Sequence, residues 1–177
     1  MAQNQNHQRG LALYEAGQLQ PALTAFRAAA EEYRAAGDQV LAGEMLNNVG
    51  VVLRGLKDWN AAVSAVEEAL ELFRALADRM REAGALGNLG AILLDKGDLR
   101  TAGEALTAAV QIYNDLNADE ERGYVLNLLG QVRIKQGRHY DGLLDMEEGL
   151  QNIAQLTPQQ KWLKGLLKLP AKLLRGL

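Results

Sequence analysis

The amino-acid sequence predicts an all-α protein: an α-solenoid of four helix–turn–helix repeats followed by a C-terminal capping helix. Three observations carry that expectation. A pattern of small residues recurs at a fixed interval. The apolar residues between them return at steps of three and four, the helical period. The composition favours helix throughout, with Ala and Leu abundant, only 3 prolines in 177 residues and aromatics at 5%.

The interval is set by Gly10, Gly50, Gly90 and Gly130, which stand 40 residues apart. Around the last three the text reads LNNVGVVLRGLKDW, LGNLGAILLDKGDL and LNLLGQVRIKQGRH; around the first it reads NHQRGLALYEAGQL. Seven residues after each glycine stands Gly17, Lys57, Gly97 or Gly137. Ala22, Ala62, Ala102 and Gly142 form a second aligned set, and Ala29, Ala69, Ala109 and Gly149 a third. Self-similarity of this kind marks an array of supersecondary units that bury their apolar faces on one another.

Each copy divides into two helices. In the second copy Leu46, Val49, Leu53 and Leu56 form one apolar stripe, and Ala62, Val66, Ala69, Leu70 and Phe73 form the next. Lys57-Asp58 interrupts them. Asp38, Asp58, Asp78 and Asp98 stand where a helix needs a side-chain acceptor for its first free N–H groups. Gly17, Gly97 and Gly137 suit the left-handed residue that closes a helix, and Pro21 falls in a first turn, where its missing N–H costs little. Connections of a few residues force antiparallel neighbours. A glycine inside a helix costs up to about 1 kcal/mol relative to alanine, so Gly50, Gly90 and Gly130 are expected at close contacts between paired helices. The repeats span roughly 3–42, 43–82, 83–122 and 123–157, and residues 158–177 form a basic amphipathic tail.

Composition excludes several classes. Hydrophobic residues make up 48% and charged residues 23%, a globular balance. The absence of cysteine removes disulfides, thiolate metal sites and a cysteine nucleophile. A net charge of −3 argues against a nucleic-acid partner. The opening MAQNQNHQRG lacks the pattern of a signal peptide, and no run of about 20 apolar residues is present to span a bilayer. A cytoplasmic location is expected. Neither His7 nor His139 belongs to a catalytic motif, and no HExxH, P-loop or nucleophile elbow occurs. Acidic pairs such as Glu31-Glu32, Glu67-Glu68, Glu120-Glu121 and Glu147-Glu148 are adjacent in sequence, so on a helix they diverge and read as solvated faces. No enzyme activity, metal or cofactor is expected.

These repeats resemble the tetratricopeptide repeat over roughly residues 3–157, most closely in LGNLG at 86–90 and KGDL at 96–99. Repeats of 40 rather than the usual ~34 residues resemble the long-repeat subclass of kinesin light chains and of spindle adaptors rich in Leu-Gly-Asn repeats. The first copy is divergent, and Leu128 replaces the asparagine found at Asn48 and Asn88. The resemblance implies a right-handed solenoid whose first helices line a groove for a partner peptide. Carried over, it makes groove candidates of His7 and Gln8, Asn47 and Asn48, Gly87 and Asn88, and Asn127 with Leu128. Tyr14 and Glu15, Arg54, Leu94 and Asp95, and Ile134 and Lys135 follow on the next turn. Asn4, Glu44, Gly84 and Tyr124 lie on the turn before, and Gln131 adjoins Gly130. Tyr14, Leu94, Tyr124 and Ile134 would supply apolar contact.

An asparagine amide offers both a donor and an acceptor. Asn47, Asn48, Asn88 and Asn127 therefore either form a ladder for a peptide backbone, or are solvated helix positions or bind backbone groups of a neighbouring loop. The carboxylate clamp of chaperone-binding relatives needs convergent cations; the matching sites here hold His7, Leu11, Asn48, Gly84 and Asn88, so that ligand is not expected. Gly84, Gly87 and Gly90 form GxxGxxG inside one helix, which is a packing pattern and not a phosphate fingerprint.

The tail reads TPQQKWLKGLLKLPAKLLRGL. Thr157, Pro158 and Gln160 make a helix start, and Pro170 kinks or ends the helix. Lys161, Lys164, Lys168, Lys172 and Arg175 follow the last acid, Glu148, unopposed. Without those five cations the chain holds 14 cations against 22 acids, so the charge divides as −8 and +5. The tail either caps the last repeat, lies on an anionic membrane surface through Trp162, its leucines and its lysines, or docks on the acidic array within or between copies. The functional expectation is an interaction module holding a protein or peptide partner. The alternatives are a peripheral membrane-associated scaffold using the tail, and self-assembly into a homo-oligomer.

Overall fold

A computed structural model describes residues 5–158, 160–162 and 164–165. Within them lie the α-helices α1 (Gln5–Glu15), α2 (Leu19–Ala35), α3 (Gln39–Gly55), α4 (Trp59–Ala75), α5 (Arg79–Lys96), α6 (Leu99–Asp115), α7 (Asp119–Lys135) and α8 (His139–Asn152), and residues 158, 160–162 and 164–165 are helical as well. The described residues contain no strand. The fold is all-α, a solenoid of consecutive helix–turn–helix repeats.

The turns share one construction. A residue with positive φ stands at 17, 37, 57, 77, 97, 117 and 137, one every 20 positions. After it, in the turns at 17, 37, 57, 77, 117 and 137, the next N–H reaches back five residues, as from Asp38 to the Tyr33 carbonyl (2.9 Å) and from Asp58 to the Leu53 carbonyl (3.0 Å). This is the left-handed closure that satisfies the last free carbonyls of a helix. Glycine fills the expected sites 17, 97 and 137 and also site 37. Lys57, Ala77 and Asn117 take the same conformation with φ of 63°, 54° and 55° despite carrying a side chain. The four aspartates cap as expected: Asp38, Asp58, Asp78 and Asp98 accept from the N–H groups of Leu41, Ala61, Arg81 and Thr101. At the starts of α2, α7 and α8 the capping position holds Gln18, Ala118 or Arg138, and no side-chain cap forms.

The chain divides into two compact units, residues 1–97 and 98–177. In the first, α1 to α5 pack in chain order, and α3 also touches α5. Its core centres on Phe26, Met45, Val52, Val66 and Phe73, all at 2% exposure or less. Burying each such side chain contributes roughly 1.5–3 kcal/mol. Gly50 permits the approach of α3 to α4: a Cβ there would lie 2.3 Å from Val66 Cγ2. In the second unit α6, α7 and α8 pack in order. Leu106, Val132 and Leu150 are fully buried, and Met146, Leu150 and Ile153 form a small cluster joined by Ile134, Leu143 and Leu156.

Candidate functional site

The first unit brings α3 and α5 together along a polar seam of three rungs. Arg81 Nε donates to Glu44 Oε1 at 2.6 Å. Asn88 Nδ2 donates to Asn47 Oδ1 at 3.1 Å. Arg54 Nε donates to Asp95 Oδ2 at 2.6 Å. The rungs join residues 37 to 41 positions apart, close to one repeat, so they recur because the repeat does. Asn47, Asn48 and Asn88 are half-buried, which leaves them reachable from solvent while the seam fixes two of them. The Asn47–Asn88 bond uses one acceptor and one donor. The remaining N–H groups of Asn47 and the carbonyl of Asn88 match the two backbone groups of an extended chain.

The charged rung at the top is strongly held. Burial pushes the Asp78 carboxyl up, but the Arg81 backbone N–H and guanidinium outweigh it and leave Asp78 below the ordinary carboxylate range. Glu44 and Asp78 both grip Arg81 and raise its own value. Beside this rung lies a cavity of about 640 Å³ lined by His7, Tyr33, Val40, Leu41, Glu44 and Leu76 among others.

His7 faces this cavity, but its role is packing. It is 8% exposed, its ring meets Tyr33 edge-on at 5.9 Å, and its Nδ1 shares a hydrogen bond with the Tyr33 hydroxyl at 3.0 Å. Tyr14 and Glu15 are exposed. Leu94 is a correction. At 4% exposure it belongs to the core, because α5 is buried almost all round between Leu89 and Leu94. It cannot offer free contact to a ligand.

In the second unit, Tyr124 is 47% exposed, and Gln131 and Lys135 are exposed on the same helix. Gln131 Nε2 donates to Asn127 Oδ1 at 3.0 Å, so Asn127 is bonded within its own helix. Ile134 is half-buried: it packs on the Met146–Leu150–Ile153 cluster and lies against Gly142, with part of its side chain left open to solvent. Along α7 and α8 three arginines meet three acids: Arg122 with Glu148, Arg133 with Asp145, and Arg138 with Asp141. Asp145 is 8% exposed and its Oδ2 has no partner. Burial raises its carboxyl above the ordinary range, against the pull of Arg133 and with a push from Glu148 and Asp141.

At the tail, Thr157 N–H donates to Gln160 Oε1 at 2.8 Å and Gln160 N–H to Thr157 Oγ1 at 3.3 Å, the reciprocal box expected there. Lys161 is exposed, Trp162 is 68% exposed, and Lys164 Nζ donates to the Leu150 carbonyl at 2.8 Å. Asn4, Lys168, Pro170, Lys172 and Arg175 lie outside the described residues. Among the described residues there is no group of three metal-ligating side chains and no helix long and apolar enough to cross a membrane.

The seam pairs were missed in sequence because each partner lies a repeat away. Their offsets from the anchor glycines differ by one to three positions within each pair, so the repeat register alone did not pair them.

Comparison with known proteins agrees with the architecture. Family models described as tetratricopeptide repeat match residues 1–75 and residues 83–116. A crystal structure of BtubC (BKLC) from P. vanneervenii superposes with a TM-score of 0.73 at 18% identity, over 81% of this chain and 59% of that one. This chain thus spans well under two thirds of that protein. No curated protein matches the sequence.

Proposed function

Because this chain belongs to the tetratricopeptide repeat family, whose repeats make protein–protein interaction modules, we propose that it is a non-catalytic adaptor holding an extended partner segment on its first helices. In the first unit the segment lies along α3 and α5, with Asn47, Asn48 and Asn88 bonding its backbone. Arg54 and Asp95 flank it at one end, Glu44 and Arg81 at the other. In the second unit Tyr124, Gln131 and Lys135 present a separate contact face on α7, beside Asn127.

One observation carries this reading. The Asn47–Asn88 bond orders two amides from successive repeats while each keeps an unused donor or acceptor.

The test is selection of binding peptides from a displayed random library on the intact chain. Asn47→Ala with Asn88→Ala should weaken the selected peptides about tenfold or more, at about 1 kcal/mol per hydrogen bond lost. Equal affinity for the double variant, with its thermal unfolding unchanged, would remove the amides from the site.

A further inference from the structure

The cavity beside the Glu44–Arg81 rung is lined by polar groups that the α3–α5 seam does not use. At about 640 Å³ it has the size of a small-ligand site. Packing occupies only one edge of the His7 ring: Nδ1 meets the Tyr33 hydroxyl at 3.0 Å. The residue is 8% exposed, and its other ring nitrogen, Nε2, has no partner among the described residues yet is not sealed in the interior. When Nδ1 carries the proton and donates to the Tyr33 oxygen, Nε2 is left as an acceptor. Glu44 offers Oε1 to Arg81, and Asp38 offers Oδ1 to the Leu41 N–H. The second oxygen of each carboxylate has no partner among the described residues.

The remaining wall is largely apolar. Val40 and Leu41 of α3 are half-buried, and Leu76 at the end of α4 is 44% exposed. None of the described lining residues is a lysine or an arginine. With the adjoining rung included, Asp38, Glu44 and Asp78 set three negative charges against the one positive charge of Arg81, a net −2. Unused acceptors, negative charge and an apolar wall together fit a cation on an aliphatic stem. The repeat does not generate this set: one repeat on, the positions of His7, Tyr33, Asp38 and Glu44 hold Asn47, Phe73, Asp78 and Gly84.

We propose that this cavity binds a lysine side chain, supplied by the partner segment. The methylene stem lies along Val40, Leu41 and Leu76. The ammonium has three donors and no acceptor, and it meets Glu44, Asp38 and His7 Nε2. This lysine belongs to the segment proposed above for α3 and α5, so the assignment rests on that reading. It adds a side-chain requirement to backbone contacts that accept any sequence. Charge selects the occupant. An acidic side chain would meet two carboxylates, and an apolar one would leave the acceptors unpaired.

The experiment titrates the full chain with Nα-acetyl-lysine methylamide, and with its norleucine counterpart, followed by methyl and imidazole NMR. The lysine probe should shift the methyl signals of Val40, Leu41 and Leu76 and the His7 ring. The norleucine probe should bind about tenfold more weakly. Glu44→Gln should weaken the lysine probe about fivefold, since a charge-assisted bond becomes a neutral one. Leu76→Lys, at an exposed helix end, should abolish probe binding by placing a cation at the mouth. Absence of the shifts overturns the proposal, as does equal binding of the two probes or a response indifferent to both variants. Peptide selection on the intact chain reads the segment separately. Selected peptides that carry lysine and lose about fivefold on Glu44→Gln support both readings. Probe shifts with no selected peptide keep the cavity as a lysine site and remove the segment. Selected peptides without lysine, on a chain whose cavity ignores the probe, keep the segment and remove the cavity.

Discussion

Gly130 of α7 and Gly142 of α8 meet backbone to backbone: a Cβ on either would lie 2.6 Å from the carbonyl oxygen of the other. Gly123 and Gly149 repeat the relationship seven residues away, at 2.7 and 2.6 Å. The earlier hairpins place alanine at the positions equivalent to Gly142 and Gly149. The last hairpin is thus closed by backbone contact. A methyl group at Gly130 or Gly142 must push the helices apart, since even if the Met146 or Ile134 side chain yields, the facing backbone carbonyl remains at 2.6 Å. Gly130→Ala and Gly142→Ala should each cost about 2 kcal/mol, overpacking exceeding the gain in helix propensity. Gly103→Ala is the control: its Cβ would meet only Val132 and Gln136 side chains at ordinary distances of 3.6 and 3.7 Å, so it should be neutral or stabilising. Urea unfolding of the three variants checks this, and equal losses at all three sites would contradict it.

The turns make a second prediction. Ala77 and Lys57 hold φ of 54° and 63°, a conformation that costs a residue with a Cβ roughly 1–2 kcal/mol. Ala77→Gly and Lys57→Gly should therefore stabilise the chain by about 1 kcal/mol each, while Gly97→Ala should destabilise it by a similar amount. Thermal or denaturant midpoints that move the other way would show that contacts of these side chains outweigh backbone strain.

Helix capping gives a third. Asp58→Ala removes the bond to the Ala61 N–H and should cost about 1 kcal/mol. Ala118 begins α7 without any side-chain cap, so Ala118→Ser should gain up to about 1 kcal/mol. Serine avoids adding a fourth acid beside Asp119, Glu120 and Glu121. Circular dichroism on heating compares the pair.

The two shifted aspartates titrate with opposite sense. Asp78 sits below its unfolded value, so its contribution is present above the unfolded value and is lost as pH falls through the folded one. Asp145 sits above its unfolded value, so its contribution is full below the unfolded value and is lost as pH rises through the folded one. Asp145→Asn should accordingly gain in stability relative to the parent as pH rises from the acid range, and Asp78→Asn should fall behind over its own lower window. Unfolding midpoints measured from the acid range to neutrality separate the two; parallel profiles would refute the assignment.

Much of this architecture was legible because it is local. Asp38, Asp58, Asp78 and Asp98 cap their helices through bonds to residues three positions on, and glycine at 17, 97 and 137 closes helices within one turn. What was not legible depends on partners distant in sequence. Leu94 stands at the same kind of offset from its glycine as exposed positions do, and only the packing around α5 buries it. Asn47 and Asn88 were both legible as polar groove candidates, but their bond to each other requires α3 and α5 to be adjacent. Lys57, Ala77 and Asn117 take left-handed geometry because the turn that recurs every 20 residues demands it; residue type gave no sign at Lys57 or Ala77, whereas asparagine tolerates that geometry.

The regular turns carry a consequence for how the chain folds. Within each unit a helix packs chiefly on its immediate neighbours along the chain, and α3 also packs on α5. No early segment must wait for a late one, so little loop entropy has to be lost before favourable contacts form. Such low contact order is the signature of rapid assembly, and it lets a nascent hairpin settle as soon as its second helix is synthesised. Helices at the start of each unit can bury their faces while the remainder is still being made.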